Sequence, residues 1–149
     1  MISAFQKFTS WINSKLGTAV DYDGVYGAQC IDFARAYAES TWNPIKSFGW
    51  SAYTWWVTWS PFVKTKWKRC EKLAKSVPSA WDIIFFAPTK NNPYGHVAVV
   101  DWQCTPFKLN IIEQNAWTGN GSGKWADAVK KSTLGYDVRG KCVGWYTLL

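Results

Sequence analysis

Apolar residues repeat at helical spacing through the first 40 residues and at strand spacing from residue 81 onward, and this change of period limits the chain to few folds. Ile2, Phe5, Phe8, Ile12 and Leu16 recur every third or fourth residue, with Ser3 placed to cap the helix start and Gly17 its end. Ile31, Phe33, Ala34, Tyr37 and Ala38 predict a second, better buried helix over residues 30–40, stopped before Asn43-Pro44. Ser51 is placed to cap a short third helix through Trp59, closed by Pro61. Strands are expected over residues 81–86, 96–102, 109–114 and 143–148, with a turn at 91–95 and a loop at 118–123 too short to be a linker. Helices first and strands afterwards predict an α+β fold, N-terminal helices packed on a C-terminal antiparallel β-sheet. No repeat or boundary interrupts the pattern, so residues 1–149 read as one domain.

The twelve tryptophans are scattered along the chain, so many belong to the core. A formal charge of +7 favours an anionic partner such as nucleic acid, anionic lipid or a wall polymer carrying phosphates and carboxylates. Nucleic acid is not expected, because no base-reading helix, zinc-finger spacing or glycine-rich phosphate loop is present. Neither a long apolar run nor a basic-then-apolar leader occurs, so neither membrane anchoring nor a secretory signal is expected. Cys30, Cys70, Cys104 and Cys142 contain no Cys-x-x-Cys pair, which argues against a cysteine-based zinc site. With Cys30 set aside as catalytic, three remain, and Cys104 and Cys142 read as small half-buried strand residues.

Two residues carry the chemistry. Cys30 sits where an acidic, glycine-containing loop enters the second helix, and a helix start stabilises a thiolate through its unpaired N–H groups and dipole. His96 is the only histidine and begins a predicted strand. A hairpin centred between Cys104 and Thr105 would set His96 directly opposite Glu113, with Cβ atoms about 4.5–5.5 Å apart on one face. Asn115 would share that face if the strand stays regular, whereas a one-residue slip would destroy the arrangement. His96 would then take the thiol proton or pair with the thiolate, while Glu113 fixes its tautomer. The Cys30 N–H is a natural oxyanion donor, with Gln29 or Asn115 as a second. Singly, a buried cysteine, a strand histidine and a strand-end glutamate are ordinary structural residues; the assembled set is what points to a hydrolase.

The loop has a signal of its own. Asp21, Asp23, Val25, Gly27 and Asp32 fall at positions 1, 3, 5, 7 and 12, the ligand spacing of a calcium-binding EF-hand loop. The match is incomplete: Val25 offers only its carbonyl, the sixth position is Tyr26 instead of glycine, and the twelfth is aspartate instead of glutamate. Taken alone, Asp23-Gly24 is more often a turn and Asp32 a helix-start carboxylate.

Asp21-x-Asp23-Gly24-x-Tyr26-Gly27-x-Gln29-Cys30-x-Asp32, then Tyr94-Gly95-His96-Val97, then Glu113-Gln114-Asn115-Ala116-Trp117 resemble the CHAP domain of phage endolysins and bacterial wall hydrolases. The resemblance spans nearly the whole chain and implies a papain-like α+β fold that cleaves an amide bond in bacterial peptidoglycan. It implies Cys30 as nucleophile, His96 as base, Glu113 as the residue orienting it and Asn115 as a polar helper. It also implies structural Ca²⁺ held by the Asp21, Asp23 and Asp32 side chains with the Val25 and Gly27 carbonyls. A monomer acting at the cell wall is expected, made in the host cytoplasm if phage-encoded. Where relatives commonly carry Gly-Asp before the strand leading to the histidine, this chain has Trp81-Asp82. Two other functions fit less of the pattern. One is a non-catalytic wall-binding module using Trp55, Trp56 and Trp59 to stack on sugars; the other is a cysteine peptidase acting on non-wall substrates.

Overall fold

A computed structural model describes residues 2–25, 27–41, 51–58, 67–115 and 128–149. Trp59, Pro61, Tyr26 and the loop expected over 118–123 lie outside the described residues. Three helices precede the sheet: α1 (Ala4–Lys15), α2 (Cys30–Thr41) and α3 (Ala52–Thr58). The strands are β1 (Trp67–Glu71), β2 (Ile83–Phe86), β3 (His96–Val100), β4 (Leu109–Glu113), β5 (Lys130–Leu134) and β6 (Cys142–Leu148). They form one sheet in the order β1-β6-β2-β3-β4-β5, with every neighbouring pair antiparallel. The architecture is the expected α+β arrangement of N-terminal helices on an antiparallel sheet.

Local chemistry fixes the helices. Ser3 and Gln6 close a reciprocal capping box at the start of α1, and Gly17 takes the left-handed conformation just beyond its end. Ser51 Oγ accepts the Thr54 N–H at the start of α3. Phe8 and Ile12 of α1, Phe33, Ala34 and Tyr37 of α2, and Trp55 and Trp56 of α3 pack against Ile83, Phe85, Val97, Val99 and Tyr146 on one sheet face. Ile84, Phe86, Ala98, Val100, Ile111, Cys142 and Trp145 form a second cluster on the other. Central strands β2 and β3 are therefore buried on both faces, which is why 83–86 reads as an unbroken apolar run.

Edge strands β1 and β5 are not visible in the hydrophobic pattern, since Trp67-Lys68-Arg69-Cys70-Glu71 and Lys130-Lys131-Ser132-Thr133-Leu134 are mostly polar. Charged, polar edges resist unwanted pairing. Trp81 does not extend β2: its φ of 77° places it in the left-handed region, and its ring lies against Phe5 and Phe8 of α1 instead. Trp55, Trp56, Trp67 and Trp145 are all buried, as expected of core tryptophans.

The β3–β4 register corrects the expected one. The predicted hairpin would pair Val99 with Asn110; the structure pairs Val99 with Ile112 and Val100 with Ile111. The tight turn closes later, where Thr105 and Lys108 exchange backbone hydrogen bonds around Pro106 and Phe107. His96 is thus not level with Glu113 but diagonal to it. The displacement is two residues, an even number, so both side chains keep one face.

Candidate active site

Cys30 opens α2, and the carbonyl of Gln29 just before it accepts the Asp32 and Phe33 N–H groups. Asp32 Oδ2 accepts the Gln29 N–H at 2.9 Å, completing the helix start. His96 opens β3 immediately after Gly95, whose φ is 72°. A Cβ at Gly95 would lie 2.6 Å from the Phe86 carbonyl oxygen, so only glycine lets the chain turn into β3 there.

The two residues are brought together: the Cys30 side chain is near enough to the His96 ring to raise its pKa, and His96 Nε2 lies 2.9 Å from Glu113 Oε2. With Nε2 committed to Glu113, Nδ1 is the nitrogen left for the thiol. His96 is 2% exposed and Glu113 not at all, so the pair is cut off from water. Arg139, which the sequence reading did not single out, forks the same carboxylate: Nε donates to Oε2 at 3.0 Å and Nη2 to Oε1 at 2.7 Å. Ser132 of β5 also favours the ionised carboxylate. No hydrophobic period marks either residue. The one available signal was chemical, since a buried carboxylate calls for a bidentate arginine and the chain has only three.

Burial lowers the His96 pKa, but the hydrogen bonds and charges of Cys30 and Glu113 outweigh it and raise the value to about 9. Burial works in the same way against ionised Glu113, yet the His96 and Arg139 hydrogen bonds, the His96 charge and Ser132 hold it well below the usual carboxylate range. The arrangement is built to carry an imidazolium beside a sulfur.

Asn115 departs from the expected regular strand. Its φ of 50° lies in the left-handed region, beyond the end of β4 at Glu113. Among the described residues, no hydrogen bond joins Asn115 to Cys30 or His96. Its neighbour Gln114 is fully buried and bonds the backbone of Val20 and Gln29.

In the acidic loop, Asp21 Oδ1 accepts the Gly24 N–H and Asp23 Oδ1 the Val25 N–H. Asp23 also pairs with Arg35 at 3.3 Å. Carboxylate oxygens of Asp21, Asp23 and Asp32 all lie within 4.8 Å of one another. Asp32 is buried, and its Oδ1 has no hydrogen-bond partner. An orphaned buried carboxylate oxygen amid two further carboxylates suits a hard cation with oxygen ligands. Val25 and Gly27 lie in the same exposed loop.

Helices on one face of an antiparallel sheet, with cysteine at a helix start beside a strand histidine, define an α+β fold of papain-like kind. The sequence matches the CHAP domain over residues 19–115. It is 30% identical, over 128 residues, to endolysin PlyTW of Staphylococcus phage Twort, an alignment covering 75% of this chain and 24% of that protein. The crystal structure of wild-type endolysin LysIME-EF1 superposes with a TM-score of 0.76 at 19% identity, covering 99% of this chain and 64% of that one. The structure of Ly7917 gives 0.64 at 17% identity, over 98% and 62%. This chain belongs to the CHAP domain family. It spans about a quarter of the length of the Twort phage endolysin (24%) and under two thirds of each of these structures.

The pair predicts a pH-dependent stability. The folded His96 value lies above its ordinary 6.5, so its contribution is complete below 6.5 and is lost as pH rises through about 9. Glu113 lies below its ordinary 4.5, so its contribution is complete above 4.5 and is lost as pH falls through the folded value. Thermal melting of the wild type against Glu113→Gln should therefore differ most between about pH 5 and pH 6.5 and narrow towards pH 9, where the His96 charge is lost and the Arg139 share remains. A gap that widens above neutral pH contradicts the assignment.

Proposed function

We propose that this domain is a peptidoglycan hydrolase that cuts an amide bond by acyl transfer to Cys30. This reading is carried by the buried His96–Glu113 pair, with Arg139 behind it and the Cys30 side chain raising the His96 pKa from the helix start. His96 as imidazolium holds Cys30 as thiolate, which attacks the scissile carbonyl carbon. The oxygen of the tetrahedral intermediate receives the Cys30 N–H at the helix start, with the Gln29 side chain or Asn115 as second donor. His96 then gives its proton to the departing amine nitrogen, and a thioester remains on Cys30. Water attacks this acyl group as His96 takes its proton, and the carboxylate product leaves with the thiolate restored. Glu113 keeps the ring in one tautomer and balances its charge throughout, and Arg139 holds Glu113.

Membership of the CHAP family supports the wall as substrate, and the relatives it resembles are named as endolysins. The scissile bond is the amide joining muramic acid to the stem peptide or a peptide bond of the stem or cross-bridge. A charge of +7 suits a wall carrying anionic polymers. Burial speaks against two of the three tryptophans of the wall-binding alternative, since Trp55 is 2% exposed and Trp56 4%.

Calcium in the acidic loop belongs to the same proposal. Asp21, Asp23 and Asp32 would hold it by their side chains, and Val25 and Gly27 by their carbonyls. The ion would supply structure, neutralising three carboxylates next to the residue that precedes the nucleophile. Oxygen ligands favour Ca²⁺ over zinc.

Cys30→Ala and His96→Ala should each abolish clearing of a cell-wall suspension while still melting cooperatively, His96→Ala at a lower temperature, whereas Cys70→Ala, Cys104→Ala and Cys142→Ala should still clear it. Lysis by Cys30→Ala at the wild-type rate contradicts the mechanism, and mass spectrometry of fragments released by the wild type identifies the bond.

A chelator should lower the melting temperature and the lysis rate together, and added Ca²⁺ should restore both, because an ion bound only by the folded state stabilises that state. No change in either, with no calcium by elemental analysis, returns Asp21 and Asp23 to ordinary turn residues.

A further inference from the structure

Gln114 lies between two residues of the site yet the mechanism above gives it no task. Its side chain is fully buried at the end of β4. Oε1 accepts the Val20 N–H at 2.6 Å, and Nε2 donates to the Val20 carbonyl at 2.7 Å and to the Gln29 carbonyl at 2.8 Å. Both amide hydrogens and the oxygen are thus engaged with backbone 94 and 85 residues earlier. Turning the amide over would set its NH₂ against the Val20 N–H and its oxygen against two carbonyls, so its orientation is fixed.

The Gln29 carbonyl matters because it shares one peptide group with the Cys30 N–H. That group is planar and trans, so its N–H points opposite to its oxygen, and gripping the oxygen aims the N–H. The same oxygen also accepts the Asp32 and Phe33 N–H groups at 3.1 and 3.4 Å. Three donors on one carbonyl polarise the peptide and strengthen its N–H as a donor. At the first position of α2 that N–H has no acceptor within the helix.

We infer that Gln114 is a positioning residue for the oxyanion site: it holds the Gln29–Cys30 peptide so that the Cys30 N–H meets the developing oxyanion. The inference rests on the reading of Cys30 as nucleophile. Through Val20, the same amide ties the start of the acidic loop to the residue that precedes the nucleophile.

The test separates acyl transfer from thiol reactivity. Iodoacetamide alkylates a thiolate by displacing iodide from a saturated carbon, so its rate reports the Cys30–His96 pair without any oxyanion. Gln114→Met keeps the length of the side chain and removes all three hydrogen bonds; Gln114→Glu keeps an acceptor for the Val20 N–H and removes the amide donors. Each variant is assayed for kcat and KM on a soluble peptidoglycan fragment, for Cys30 alkylation followed by peptide mass mapping, and for melting. The expected result is a kcat lowered on the order of 10²-fold, the loss typical of a missing oxyanion donor, with KM, alkylation rate and the count of reactive Cys30 unchanged. An unaltered kcat overturns the inference. So does a kcat that falls only in proportion to alkylation, or loss of the melting transition in both variants, which makes Gln114 a purely structural clasp. Cys30→Ala is run alongside: activity retained there sinks the nucleophile reading itself, whereas full kcat in the Gln114 variants sinks only this inference.

Discussion

A carboxylate with no exposed surface stays ionised only if charge and hydrogen bonds replace the water it lost, and an unpaired one costs several kcal/mol. Glu113 is such a group, and His96, Arg139 and Ser132 together meet its demand. Three separate parts of the chain must therefore arrive at one point: the start of β3, the edge strand β5, and the segment between β5 and β6. Tyr136 helps to pin that last segment, donating its hydroxyl to the Thr105 carbonyl at the β3–β4 turn. The sheet has to be complete at this end before the carboxylate is satisfied, so site and fold form together.

The helical layer brings the sulfur to the pair. Phe33, Ala34 and Tyr37 seat α2 on the face that β3 presents through Val97 and Val99, which directs the start of α2 towards His96. Asp32 fastens the helix start from within, and Gln114 fastens the residue before it from the sheet. Cys30 thus sits at the start of a helix that contacts from both layers hold in place, an arrangement suited to a geometry that tolerates little displacement.

Much of this was legible in the sequence because the helices carry both apolar period and caps: Ser3, Gly17 and Ser51 mark ends that the structure keeps. His96 and Glu113 sharing a face was also legible, though for a partly wrong reason, since the turn at Pro106-Phe107 displaces the register by an even step that parity forgives. Edge strands β1 and β5 were hidden because they are half-exposed and polar. Arg139 and Ser132 were hidden with them, since their role exists only once the buried carboxylate has a position in space. Trp81 defied its apolar context because a left-handed backbone conformation leaves no trace in a hydrophobic pattern. Asn115 did likewise, left-handed two residues past the end of β4 at Glu113.

A buried, paired His96 is expected to stay protonated beside Cys30 across neutral pH, and as the only histidine of the chain it is read without assignment ambiguity. Titration of the imidazole resonances by NMR should give a midpoint near 9 for the folded protein. A midpoint at or below the ordinary 6.5 would mean that desolvation wins over the pairing, and would contradict the account.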